Sequence, residues 1–127
     1  MTEYTVDESP KTPYIHFEDN RFIFRGKSIP EDARKFYRVA RDKAKDYLEE
    51  RVGSKTQIEF HFEYCDTSTV KWIVDFLRMF ESCQKKNPAI DISVIWKYES
   101  DDEEMLDLGE FIQAHSVLPF TFIPADL

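Results

Sequence analysis

The chain has 127 residues, a length that suits one domain, and its 42% hydrophobic and 15% aromatic content can build a single core without disulfides or a metal. A net charge of −8 and a pI near 4.9 argue against an anionic membrane surface and against nucleic acid, whose binding needs a basic stripe that is not read here. No apolar run is long enough for membrane insertion and Met1-Thr2-Glu3 lacks the basic start of a signal peptide, so a cytoplasmic protein is expected.

No repeat or linker divides the chain, and residues 1–127 are read as one domain whose first twelve residues, polar and containing Ser9-Pro10, form a loose tail. Residues 14–17 and 21–25 make the arms of a hairpin around Glu18-Asp19-Asn20, all turn-forming types. Gly26 is expected to end the second arm. A helix then starts at Ser28 as N-cap, with Pro30 in its first turn and Glu31 completing a capping box. Ala33, Phe36, Tyr37, Ala40, Ala44, Tyr47 and Leu48 give it one apolar face, and Gly53 supplies the stop.

Two alternating strands follow. In residues 57–64, Ile58, Phe60, Phe62 and Tyr64 alternate with Gln57, Glu59, His61 and Glu63. In residues 90–98, Ile90, Ile92, Val94, Trp96 and Tyr98 alternate with Asp91, Ser93, Ile95 and Lys97. A sheet covered on both faces reads as unbroken apolar runs, so this alternation places the helices on one face. Between the two strands, residues 66–86 form a helix that stops before Asn87-Pro88. Ser100-Asp101-Asp102-Glu103 is read as the capping box of a last helix carrying Met105, Leu108, Phe111, Ile112 and His115, and residues 120–123 as a closing strand. The fold class is α/β, a mixed sheet in the order β-β-α-β-α-β-α-β.

The most informative stretch is Tyr64-Cys65-Asp66-Thr67-Ser68-Thr69, at a strand-to-helix junction where α/β sheets build their sites. One reading is that Asp66 or Thr67 simply caps the helix; the alternative is a phosphorylation switch. A phosphate on Thr67 adds about −1.5 to −2 charge. The helix start can accept it, while a partner docked there meets a new dianion. The following helix carries a second apolar stripe, Trp72, Phe76, Met79 and Cys83, beside Val70, Ile73, Val74, Leu77 and Phe80. This second stripe is either buried against a neighbouring helix or a docking surface that begins one turn from Thr67.

Other candidates are weaker. His16, His61 and His115 have no zinc-ligand spacing, so no metal site is assigned. Cys65 and Cys83 read as buried free thiols; Cys65 with a distant histidine is a candidate nucleophile, but a core thiol at a strand end is the better reading. The acids at 101–107 lack an EF-hand pattern, and no phosphate-binding glycine loop is present, so no cofactor is expected.

From Thr12 onward the chain resembles the SiaC family of bacterial regulatory phosphoproteins. The resemblance rests on Thr12-Pro13-Tyr14-Ile15, Gly26-Lys27-Ser28-Ile29-Pro30-Glu31, Phe36-Tyr37 and Asp66-Thr67-Ser68-Thr69. It continues through Trp96-Lys97-Tyr98-Glu99, Asp101-Asp102-Glu103-Glu104-Met105, Gly109-Glu110 and Pro119-Phe120. It implies a STAS-like fold akin to anti-anti-sigma factors and a phosphoacceptor at Thr67, with Ser68 and Thr69 as alternates. It also implies a serine/threonine protein kinase, a PP2C-type phosphatase and a diguanylate cyclase that the unphosphorylated protein binds and activates. The family's usual Asn-Thr-Ser-Ser is replaced here by Asp66 and Thr69 at the outer positions, and Asp66 makes phosphorylation electrostatically less favourable. Asp66, Thr67, Ser68, Trp72, Phe76 and Met79 are the expected partner-binding residues. Two other functions stay open: an anti-anti-sigma-type partner switch acting on a kinase or anti-sigma factor, and a small thiol- or carboxylate-dependent enzyme.

Overall fold

The computed structural model describes residues 3–50 and 55–126. Its strands are β1 (Tyr4–Val6), β2 (Tyr14–Glu18), β3 (Arg21–Ser28), β4 (Lys55–Cys65), β5 (Asp91–Tyr98) and β6 (Phe120–Pro124). The helices are α1 (Ala33–Glu50), α2 (Thr67–Lys86) and α3 (Glu103–Ala114). The six strands lie side by side in chain order, antiparallel from β1 to β3 and parallel from β3 to β6.

Each parallel step crosses over through one helix, and all three helices cover the same face. Phe22, Phe24, Ile58, Phe60, Val94 and Trp96 point into that face and are buried. Tyr47 of α1 meets Phe22, Phe76 of α2 meets Phe24, and the Trp96 indole N–H donates to the Met105 carbonyl of α3 at 3.0 Å. Gly109 explains how α3 comes so close: an added Cβ would lie 2.5 Å from the Trp96 ring and 2.8 Å from Phe122.

The residues expected to be a loose tail include β1, whose Thr5 pairs with His16 across the sheet edge. Gly26 does not end β3. It adopts φ +114 where the β3–β4 register shifts, and the strand continues to Ser28. That shift also turns Tyr64 outward, although alternation had placed it inside.

Two expected capping boxes are not used. Ser28 is a buried strand residue, and the Asp32 carboxylate instead accepts the Lys35 N–H ahead of α1. Asp102, not Ser100, caps α3, accepting the Met105 N–H at 3.0 Å. The Gly53 helix stop lies outside the described residues.

The helix-free face is not uniformly wet. Glu59 and His61 on β4 are only 8% and 6% exposed. A central strand is flanked on both sides, and here its neighbours supply partners. Arg21 and Lys97 lie 3.1 and 3.4 Å from Glu59, and Glu99 lies 3.2 Å from His61.

Candidate functional site

The carboxyl ends of β3 and β4 converge on the start of α2. The Asp66 N–H donates to the Ser28 carbonyl at 3.0 Å, which ties the two strand ends together. Asp66 has the extended backbone of an N-cap, and its carboxylate accepts the Thr69 N–H at 2.8 Å and the Ser68 hydroxyl at 2.8 Å. Asp66 therefore does cap the helix, as the simpler of the two sequence interpretations held.

The three hydroxyls of this turn have different fates. Thr67, the first residue of α2, is exposed, and its side chain has no hydrogen-bond partner among the described residues. Ser68 is exposed but engaged with Asp66. Thr69 is 0% exposed, with its Oγ1 2.7 Å from the Ser28 hydroxyl and 3.2 Å from the Ser28 carbonyl. Ser28 in turn meets the Tyr37 hydroxyl at 2.5 Å. Thr69 is thus withdrawn as an alternate phosphoacceptor, because a modifying enzyme cannot reach it without unfolding the turn.

The Ser28–Tyr37–Thr69 set was invisible as a unit in the sequence. Ser28 looked like a cap and Tyr37 like one more apolar-face residue. Desolvation drives the Tyr37 phenol well above its usual range, the Ser28 and Thr69 hydrogen bonds only partly opposing it. The set stays neutral and holds β3, α1 and α2 in register.

Trp72 and Phe76 do not form an exposed docking face, and Met79 reaches the surface only at the floor of a groove between α1 and α2. The three are 6%, 1% and 9% exposed. Trp72 stacks between Tyr37 of α1 (ring centroids 4.0 Å apart) and Phe76 (4.5 Å), because α1 lies directly alongside α2 and needs that second stripe as its own packing surface. Of the six expected partner-binding residues, Thr67 and Ser68 remain exposed and Asp66 half-buried.

Cys65, just before the cap, is pushed up to about 12 by desolvation, with the Asp66 charge adding to it. It is protonated at neutral pH and is no activated nucleophile. Glu3, His16 and Glu18 were missed by linear spacing. Cross-strand pairing of β1 and β2 brings one ligand atom of each within 4.8 Å of the others. His16 is already bonded to Thr5 at 2.9 Å and to Glu18 at 3.3 Å, and Glu18 also faces Arg21. No described helix is long and apolar enough to cross a membrane.

Known proteins bear on this geometry. The chain superimposes on apo-SiaC from Pseudomonas aeruginosa with a TM-score of 0.84 at 21% identity, covering 97% of this chain and 99% of that one. A second structure of SiaC from that organism gives 0.86 at 20% identity, with 98% and 100% covered. A chain in the crystal structure of the P. aeruginosa diguanylate cyclase SiaD in complex with its activator SiaC also gives 0.86 at 20% identity, with 96% and 99% covered. At these identities the likeness shows the fold. No curated protein matches significantly. The sequence profile of the SiaC family regulatory phosphoproteins, however, matches residues 6–125, nearly the whole chain. This protein belongs to the SiaC family of regulatory phosphoproteins.

Proposed function

We propose that this protein is a non-catalytic switch that binds and activates a diguanylate cyclase while Thr67 is unmodified, and lets go when a serine/threonine kinase phosphorylates Thr67. A PP2C-type phosphatase would restore the active form. The observation that carries this is the exposure of Thr67, whose hydroxyl has no partner among the described residues, on the first turn of a helix at the carboxyl edge of the sheet.

The chemistry supports it. The first N–H groups of a helix lack intrahelical partners. Asp66 occupies that of Thr69, which leaves those of Thr67 and Ser68 for a phosphate. The Asp66 carboxylate, next to the acceptor, opposes a second negative charge and should slow the modification relative to a relative with asparagine there. The buried Ser28–Tyr37–Thr69 set lies behind the turn, so a phosphate on Thr67 changes the surface without loosening the core. Cys65, held in its thiol form by burial and by the adjacent Asp66 charge, supports a binding role over thiol catalysis.

The test titrates the purified protein into a diguanylate cyclase from the same cell and measures cyclic-di-GMP formation before and after treatment with kinase and ATP. Stimulation by the unmodified protein, with affinity falling at least about tenfold on phosphorylation, is expected. A cyclase indifferent to both forms would reject this function. Retention of an anti-sigma factor or kinase instead would favour the partner switch.

A further inference from the structure

All of the net charge sits at one end of the chain. Of the 25 acidic residues, eight follow Tyr98, where there is no lysine or arginine, and the remaining 17 balance the 17 basic residues. Helix α3 concentrates this charge. Its inner side buries Met105, Gly109 and Ile112, so Glu103, Glu104, Asp107 and Phe111 share the outer side at helical spacing. Phe111 is 51% exposed, a large ring on the same outer side as those carboxylates. It is held in place by His115, whose ring lies 4.6 Å away and whose Nδ1 bonds the Phe111 carbonyl.

The opposite character appears between α1 and α2. A groove of about 560 Å³ is rimmed by Arg41, Lys45, Arg78 and Lys86 and floored by Leu48, Met79, Cys83 and Ile90. Glu49 and Asp75 also line it, so its balance is two positive charges on a chain that is otherwise strongly acidic. Its cations form no basic run in the sequence because two helices contribute them. The cations on its rim complement the carboxylates on the outer side of α3 beside Phe111.

We propose that α3 of one copy docks in the α1–α2 groove of a second copy, with Phe111 entering over Met79 and Cys83 while Asp107, Glu103 and Glu104 meet the cationic rim. The occupant is a second copy because the complementary surface, an apolar knob (the Phe111 ring) with carboxylates along the same helix face, is on the chain itself. The contact is heterologous: knob and groove are different patches, so each copy can offer both and assembly continues head to tail. Repulsion between two acidic copies is screened beyond about 8 Å at physiological salt, whereas the local ion pairs act within that range.

The test is sedimentation velocity on the full chain across protein concentration, at about 0.15 M and about 1 M salt. Concentration-dependent growth beyond the monomer, weakened at high salt, is expected for the wild type. Phe111→Ser and the double change Lys45→Glu, Lys86→Glu should each remain monomeric, while Lys11→Glu, remote from both patches, should behave as wild type. Mixing the two monomeric variants should restore a dimer and nothing larger, since one intact knob then meets one intact groove. A wild type that stays monomeric at millimolar concentration would overturn the proposal. So would a mixture that stays monomeric although both variants give native circular dichroism.

Discussion

The first turn of α2 and the two turns after it differ sharply although they share one helix. At the start, Thr67 and Ser68 face solvent; further on, Trp72 and Phe76 are sealed between α1 and the sheet. Thr69, two residues beyond Thr67, already belongs to the interior. The difference separates two tasks. Under the proposed function, a residue that is to carry a reversible charge must be reachable and energetically idle in the fold, whereas the residues that fix its position must be neither. The boundary between the tasks is a single hydrogen-bonded turn capped by Asp66.

That boundary can be attacked at several depths. The largest effect is expected from Trp72→Ala or Phe76→Ala, which removes a stacked ring from the core and should cost about 3–5 kcal/mol of unfolding free energy in urea titrations. Gly109→Ala should cost about 1–3 kcal/mol, because the new methyl group meets the Trp96 ring. Thr69→Val keeps the shape but removes the buried hydrogen bonds to the Ser28 hydroxyl and carbonyl, leaving that hydroxyl with Tyr37 alone, and should cost about 1–3 kcal/mol by the same assay. Asp66→Ala removes the cap, worth about 1 kcal/mol, whereas Asp66→Asn should preserve stability and speed phosphorylation by removing a like charge. Thr67→Ala should lie within about 0.5 kcal/mol of wild type. If Thr67→Ala proves as damaging as Trp72→Ala, the two regions are not distinct.

Cys65 supplies a pH test of the same boundary. Its folded pKa, about 12, lies above the ordinary thiol value, because burial penalises the thiolate. A group raised in this way contributes stability that is fully present below the unfolded pKa and is lost as pH rises through the folded one. Stability should therefore fall from about pH 9 toward pH 12, and Cys65→Ser should flatten part of that fall in denaturation curves measured across this range. At pH 8, Cys65 in the native protein should resist iodoacetamide and become reactive once the chain is unfolded in urea.

Much of the fold could be read from local pattern. The β2–β3 hairpin, the limits of α2 and the placement of all helices on one face follow from turn residues, an N-cap and period-two alternation. What local pattern could not supply was set by partners distant in the chain. β1 is three residues long and exists through its pairing with β2. Ser28 has every local mark of a cap, yet tertiary packing gives it to Tyr37 and Thr69. Glu59 and His61 look solvent-facing, but a central strand buries them among ionic neighbours.

The candidate site was half legible. Thr67 and its cap stood out at a strand-to-helix junction, whereas the Trp72 stripe had two equally regular explanations. Only the position of α1 decides between them. The mixed charge of the α1–α2 groove was hidden for a similar reason, since its cations come from two helices that are far apart in sequence.

The most direct measurement of the central claim is peptide mapping by mass spectrometry after kinase treatment of the folded wild type and of Thr67→Ala. A single phosphate on Thr67, absent from Thr67→Ala, is the expected result. Phosphate on Ser68 in both proteins, or none on either in the presence of a kinase active on its other substrates, would contradict the account.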